Sequence, residues 1–290
     1  MFGRFRAASQ PQNEPLIVPL SEHEFARLAR RDWSFPYADI VSTINANPEL
    51  AFRAEGTAEC VVGGHWRRRH DIGSVEYLRA GSAASRLVHR LEQVLRTGGA
   101  RLLVLGGAEQ SGNLGLYQSL GFQVVDEIVR YQRSTARAPQ PQHVFPLRSA
   151  LPEDLAGLLA VDHAAFPWLW WNSEEELAWY LALPGVEAHV ALDGPSVVGY
   201  TGFTITGQQG HLDRLAVHPD YQGQGLGSDL VLYTLARMQQ RRVDRVALTT
   251  QVDNFRSAGL YRSLGFIRTA VRYPLYGLWL AEVPDRPAPI

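Results

Sequence analysis

The octapeptide GLYQSLGF at residues 115–122 returns as GLYRSLGF at residues 259–266, 144 residues later in a chain of 290. A near-identical block displaced by about half the chain constrains the fold more than any other feature. The same offset pairs Arg101 with Arg245, Gly81 with Gly225 and Tyr77 with Tyr221. Upstream it shrinks: VVG at 61–63 matches VVG at 197–199, Phe35-Pro36 matches Phe166-Pro167, and Pro19-Leu20 matches Pro146-Leu147. Order is kept while the second copy gains residues. One domain has therefore been duplicated, with insertions in the second copy. A period this long describes two whole domains, not a solenoid of short repeats. The copies span 14–133 and 143–283. The polar, proline-containing stretch STARAPQPQ at 134–142 is the linker between them.

Each copy reads as mixed α/β. In the second, a short strand at HVFPL leads to a helix with Pro152 in its first turn. A second helix follows, capped by Asn172 or Ser173, with Glu174–Glu176 suited to its positive end. Strands VEAHVAL, SVVGYTGFTIT and GHLDRLAV come next. A long amphipathic helix then starts near Gly227 with Leu230, Val231, Leu235 and Met238 on one face. The strand RVALTTQ, a short helix RSAGLYRSLG and a last strand pair around FIRTAVRY and LYGLWL complete the copy.

Composition removes several chemistries. All 28 basic residues are arginine, so Schiff-base lysine catalysis and a lysine-bearing phosphate loop are both excluded. Cys60 is the single cysteine, which excludes an internal disulfide and a cysteine metal cluster. Within AECVVGG it reads as a small buried hydrophobe. No metal site is expected. A formal net charge of −1 argues against a nucleic-acid partner. No apolar run has membrane-spanning length, and the polar N-terminal stretch lacks the core of a secretory signal. A cytoplasmic protein with no membrane partner is expected, as a monomer or a homodimer.

The chemistry concentrates in HLDRLAVHPDYQGQGLGSDLV, residues 211–231. A strand ends at Val217, a turn follows, and Gln222-Gly223-Gln224-Gly225-Leu226-Gly227 opens the long helix. Glycines let an anion approach the backbone, and the first N–H groups of a helix have no intrahelical partner. Together with the helix dipole they form a phosphate cradle. A dinucleotide site would need G-x-G-x-x-G early in its unit, and a nucleoside-triphosphate loop would need lysine. Coenzyme A remains.

The pattern Q-x-x-G-x-G after LAVHPDY, followed by a strand, N-x-x-[SA]-x-x-x-Y and LGF, resembles the GNAT superfamily of acyl-CoA-dependent N-acyltransferases. The resemblance spans residues 142–283 and implies two tandem GNAT-like domains, each a central, mostly antiparallel sheet flanked by helices. It also implies an N-acetyltransferase that uses acetyl-CoA as co-substrate and transfers the acetyl group directly to an amine, without an acyl-enzyme. Leu215, Ala216 and Val217 would line the pantetheine. Gln222, Gly223, Gln224, Gly225, Leu226, Gly227 and Ser228 would hold the pyrophosphate. Asn254, with Ser257 beside it, would meet the pantetheine arm, and Tyr261 would protonate the leaving thiolate. Many family members carry a glutamate base on the strand before the asparagine; here that position is Thr249. His211 and Asp213, which share a strand face by two-residue alternation, are the candidate bases. His218 reads as structural. The acceptor is a small-molecule amine or a peptide amine, with Trp168, Trp170, Trp171, Trp179 and Tyr180 as a candidate pocket wall near Glu174–Glu176. The tandem architecture also resembles that of the mycothiol synthases, which makes a small aminothiol conjugate an alternative acceptor. A non-catalytic acyl-CoA sensor is the alternative from another class.

In the first copy the loop slots read Leu78-Arg79-Ala80-Gly81-Ser82-Ala83, with Gln110 in place of Asn254 and Tyr117 matching Tyr261. The cradle is eroded, so a structural or pocket-forming role is expected there. Only the tyrosine of the octapeptide has a chemical use. Leu120-Gly121 closes a helix with glycine in the left-handed position, and Phe122 opens a core strand.

Overall fold

A computed structural model describes residues 14–29, 37–106, 113–136 and 138–281. In the first copy the order is β1 (Ile17–Pro19), α1 (Glu22–Ala29), α2 (Tyr37–Ala46), β2 (Ala51–Ala54), β3 (Cys60–His65), β4 (Ile72–Arg79), α3 (Ala84–Thr97), β5 (Leu102–Leu105), α4 (Leu114–Ser119) and β6 (Gln123–Ser134). The second runs β7 (Leu147–Ser149), α5 (Leu155–Ala165), α6 (Glu174–Ala182), β8 (Val186–Asp193), β9 (Ser196–Thr206), β10 (Gln209–Val217), α7 (Leu226–Gln240), β11 (Arg245–Gln251), α8 (Phe255–Ser263) and β12 (Ile267–Trp279). The Phe35-Pro36 match and Gln110 lie outside the described residues.

Two compact units form, and they do not follow chain order. Among the described residues, the first comprises 14–29, 37–66, 70–106, 113–123 and 276–281; the second holds 67–69, 124–136 and 138–275. Each unit takes its last strand from the other copy. In the first, β1 to β4 pair antiparallel in succession, β4 and β5 run parallel, and residues 277–279 of β12 close antiparallel on β5. In the second, β7 to β10 pair antiparallel, β10 and β11 run parallel, and β6 closes antiparallel on β11. Repeat alignment finds the copies but not this exchange, because sequence likeness does not say which edge a terminal strand will pair with. The expected strand pair at the C-terminus is instead the single strand β12.

Periodicity accounts for most elements. Leu230, Val231, Leu235 and Met238 are all buried on α7. Ser173 caps α6, its hydroxyl accepting the Glu176 N–H at 2.9 Å. HVFPL departs from expectation: only Leu147 enters β7. The buried Asp229 carboxylate on α7 accepts the N–H groups of Gln142, His143 and Val144 at 2.5, 3.0 and 2.9 Å, holding that segment out of the sheet.

The octapeptides fold alike. Phe122 N–H donates to the Tyr117 carbonyl at 3.0 Å, and Phe266 N–H to the Tyr261 carbonyl at 2.9 Å. Gly121 and Gly265 both take positive φ, 92° and 80°. Tyr117 and Phe122 lie in one apolar core, Tyr261 and Phe266 in another.

Candidate active site

The site in the second unit begins where two parallel strands part. β10 and β11 pair from Gln209 and Arg245 only as far as Leu212 and Leu248. Beyond that point β10 keeps its partner β9, and β11 keeps β6. A gap opens between them. His218 N–H donates to the Val198 carbonyl on β9. By alternation along the strand, Leu215 and Val217 turn their backbone groups toward the gap. The Val217 carbonyl accepts Gln222 Nε2 at 2.9 Å, which fixes the loop entrance.

The loop then turns into α7. Gly223 and Gly225 sit at φ 78° and 87°, where a side chain would be strained. No hydrogen-bond acceptor among the described residues meets the backbone N–H groups of residues 223–228. These donors, at the N-terminus of a fifteen-residue helix, suit a pyrophosphate. The residues present therefore fit the phosphate part of coenzyme A. Across the gap, Asn254 caps α8: its Oδ1 accepts the Ser257 N–H at 3.0 Å. That leaves Asn254 Nδ2 to donate. Tyr261 is 5% exposed and packs in the apolar cluster with Tyr131 and Phe266. Burial pushes its phenol up from the ordinary value, so it stays protonated. Its hydroxyl has no hydrogen-bond partner among the described residues.

The candidate bases meet. His211 Nδ1 lies 2.7 Å from Asp213 Oδ1. Asp213 Oδ2 accepts the hydroxyls of Tyr180 at 2.8 Å and Thr204 at 2.5 Å. A register shift between Leu212 and Arg214 makes Asp213 an extra residue in β10. The bulge lets Asp213 and Arg214 both reach the face covered by α5 and α6, which an unbroken strand would forbid. Asp213 is thus fully engaged, and it orients an imidazole whose Nε2 is left over. Gly202 is required beneath this group, since a Cβ there would fall 2.6 Å from the Tyr180 hydroxyl. His218 accepts the Asp220 N–H in its turn.

Sequence reasoning missed a buried network below. Asp162, 0% exposed, accepts from Asn172 N–H at 3.0 Å, Tyr200 OH at 2.5 Å and Arg214 Nε at 2.8 Å. Arg214 also donates to the Trp170 carbonyl at 2.7 Å and lies 3.6 Å from the Phe166 ring centre. Asp162→Ala would leave a buried guanidinium without its anion. Such losses cost about 3–5 kcal/mol. Urea denaturation at unchanged m-value should show that drop; a loss within experimental error would mean that Arg214 finds water.

The tryptophans behave differently from a bare pocket wall. Arg67, Arg68 and Arg69 belong to the second unit and stack on them: Arg67 on Trp170 at 5.3 Å, Arg68 on Trp179 at 4.1 Å, Arg69 on Trp168 at 5.0 Å. Arg67 donates to Asn172 Oδ1 at 2.6 Å, and Arg68 pairs with Glu176 and Glu175. Those two glutamates therefore carry an internal cation beside them. Trp170 Nε1 donates to Asp126 Oδ2 at 2.5 Å. The signal was a run of three arginines, but nothing in sequence joins it to tryptophans about a hundred residues away.

In the first unit the equivalent cradle is filled. Leu78 and Arg79 belong to β4, so only residues 80–83 separate strand from helix, against 218–225 in the second copy. The pairing of Tyr77 with Tyr221 is corrected accordingly: Tyr77 lies in β4 and Tyr221 in the turn. The Glu59 carboxylate accepts the Ala83 N–H at 2.7 Å and the Ser82 hydroxyl at 3.3 Å. A Cβ on Gly81 would come within 2.4 Å of its carboxyl carbon. An internal anion occupies the helix N-terminus. Tyr117 is fully buried. Cys60 is buried too, and burial pushes its thiol up to about 12, which removes it as a nucleophile. Among the described residues no His/Cys/Asp/Glu group could hold a metal, and no helix is long and apolar enough to cross a membrane.

Comparison with known proteins gives the following similarities. Residues 154–266 match the Acetyltransferase (GNAT) family. The mycothiol acetyltransferase of Nocardia farcinica is 27% identical over 283 residues, covering 88% of this chain and 84% of that protein. The yeast N-alpha-acetyltransferase 30 (Saccharomyces cerevisiae) is 34% identical over 68 residues, 23% of this chain and 39% of that one. A GCN5-related N-acetyltransferase from Sphaerobacter thermophilus superposes with a TM-score of 0.59 at 17% identity, covering 95% of this chain and 99% of that one. A tandem GNAT protein from the clavulanic acid biosynthesis pathway gives 0.54 at 15% identity, covering 93% and 100%. Residues 154–266 thus form a GNAT acetyltransferase domain, and the chain as a whole shares the fold of tandem GNAT proteins.

Proposed function

We propose that this N-acetyltransferase moves the acetyl group of acetyl-CoA to an amine at one site, in the second unit. The observation that carries the reading is the parted pair β10 and β11, with the open N–H loop at one end and the buried Tyr261 on the far side. Residues 222–228 hold the pyrophosphate by backbone N–H groups. Leu215 and Val217 present backbone to the pantetheine arm, and Asn254 Nδ2 donates to it. When bound, acetyl-CoA supplies the activated carbonyl.

The chain's own residues then do three things. A backbone N–H on the gap side of β10 polarises the carbonyl oxygen. His211 Nε2, its ring fixed through Nδ1 by Asp213, takes the amine proton directly or through water. Tyr261 gives its proton to the sulfur as the C–S bond breaks and the C–N bond forms. No acyl-enzyme is involved, consistent with the buried Cys60.

The second reading is a small aminothiol conjugate as acceptor. It is favoured by the end-to-end alignment with mycothiol acetyltransferases. Thiol release from acetyl-CoA across an amine panel tests the main reading. His211→Gln should lower kcat by about 100-fold, within the usual range for a general base. Coenzyme A binding without turnover on any amine would support a sensor instead.

A further inference from the structure

The floor of the cleft contains a guanidinium that meets no partner among the described residues. Along β6, Val129 and Tyr131 are buried in the cluster with Tyr261 and Phe266. Alternation turns Ile128, Arg130 and Gln132 to the opposite face. Register places Arg130 beside Thr249 and Ile128 beside Gln251 on β11, with Ala247 of β11 beside His211 on β10. Val246 and Leu248 point into the same cluster as Tyr131, so Thr249 and Gln251 share the face of Arg130. Thr249 is exposed just past Leu248, where β10 has parted from β11 and only β6 remains paired beside it. That exposure marks an open floor. Its walls are Tyr180 over His211–Asp213 and Trp170 bonded to Asp126.

Asp213, Asp126 and Arg214 are engaged on this floor and Arg130 is not, while the exposed Asp253 lies within charge range of Asp126. Asp213 is held by His211, Tyr180 and Thr204. Asp126 accepts from Trp170 and from the Glu127 N–H, and Glu127 pairs with Arg272. Arg214 is bound to Asp162. Arg130 alone among these groups has no ion pair, hydrogen bond or ring contact from its guanidinium to the described residues, and it is half-buried. A half-buried guanidinium is a fork for a planar or tetrahedral oxyanion.

We infer that Arg130 binds an anionic group of the acceptor, so the preferred substrate is an amine that carries a carboxylate or a phosphate on the same molecule. This rests on the acetyl-transfer reading of the same cleft. Arg130 is one strand beyond β11 and about two residues along from His211. At about 4.8 Å between strands and 3.4 Å per residue, the anion lies several bonds from the amine. Arg130 acts on acceptor affinity and selection, not on the chemical step.

The test uses matched acceptors with acetyl-CoA and the full chain: β-alanine against β-alaninamide, γ-aminobutyrate against butylamine, and phosphoethanolamine against ethanolamine. Wild type should favour the anionic member by about 10- to 100-fold in kcat/KM, through KM, as expected for a charge-assisted forked contact. The carboxylate and phosphate pairs show which oxyanion is preferred. Arg130→Gln should bring the ratio to about unity, and Arg130→Lys should restore part of it. A merely structural arginine would change all acceptors together and leave the ratio intact. Turnover of neutral amines at equal or better efficiency by wild type overturns the inference and leaves the acetyl-transfer reading standing. A ratio that survives in Arg130→Gln overturns it equally. Absence of transfer to every amine, with coenzyme A still bound, defeats the acetyl-transfer reading and this inference with it.

Discussion

Tyr261→Phe should lower kcat by about 100- to 1000-fold, the usual range for loss of a positioned proton donor, and leave the KM for acetyl-CoA little changed. The ring stays, so the packing of Tyr261 against Tyr131 and Phe266 stays with it. Only the hydroxyl is lost. Burial raises the phenol, and the same dry surroundings make a departing thiolate more basic. Proton transfer between the two therefore remains feasible although the phenol is a weak acid. The sign for pH follows. A raised pKa means the protonated donor persists above the ordinary tyrosine value of about 10. The rate should show no alkaline fall up to about that pH. Single-turnover thiol release across pH measures both effects. Tyr117→Phe is the control, since the same substitution in the other octapeptide should leave kcat unchanged. Equal losses in both variants would mean that the tyrosines act by packing.

Gly225→Glu should weaken coenzyme A binding by at least about 100-fold, or about 2.7 kcal/mol. Two causes add. The position sits at φ 87°, where any side chain costs about 1 kcal/mol or more. A carboxylate at the helix N-terminus also competes with the pyrophosphate for the same N–H groups. Gly225→Ala carries the backbone strain without the charge and should lose about 10-fold at most. The first unit shows the same competition already built in, where Glu59 accepts the Ala83 N–H at the start of α3. Unchanged affinity in Gly225→Glu would place the cofactor elsewhere.

Local signals in the sequence were reliable where one segment decides its own structure. RVALTTQ and SVVGYTGFTIT are the bounds of β11 and β9, because apolar runs between turn residues need no distant partner to be recognised. Gly121 and Gly265 take the left-handed positions that LGF demands. His211 and Asp213 do share a face, but the bulge that adds Arg214 to it is a matter of tertiary pairing. The features that escaped all join residues far apart in the chain. Asp162 reads as an ordinary helix aspartate until Tyr200 and Arg214 converge on it. Arg67–Arg69 reads as a solvated charge run until the tryptophans appear beneath it. Glu59 has no motif at all. The exchange of β6 and β12 depends on the energetics of edge pairing, to which a sequence repeat is blind.

We propose that duplication gave two folds but one cofactor site. Calorimetric titration of the full chain with coenzyme A tests it most directly. One site per chain, lost in Gly225→Glu and unaffected by Tyr117→Phe, is the predicted result. Two sites per chain, or binding that survives Gly225→Glu, would contradict it.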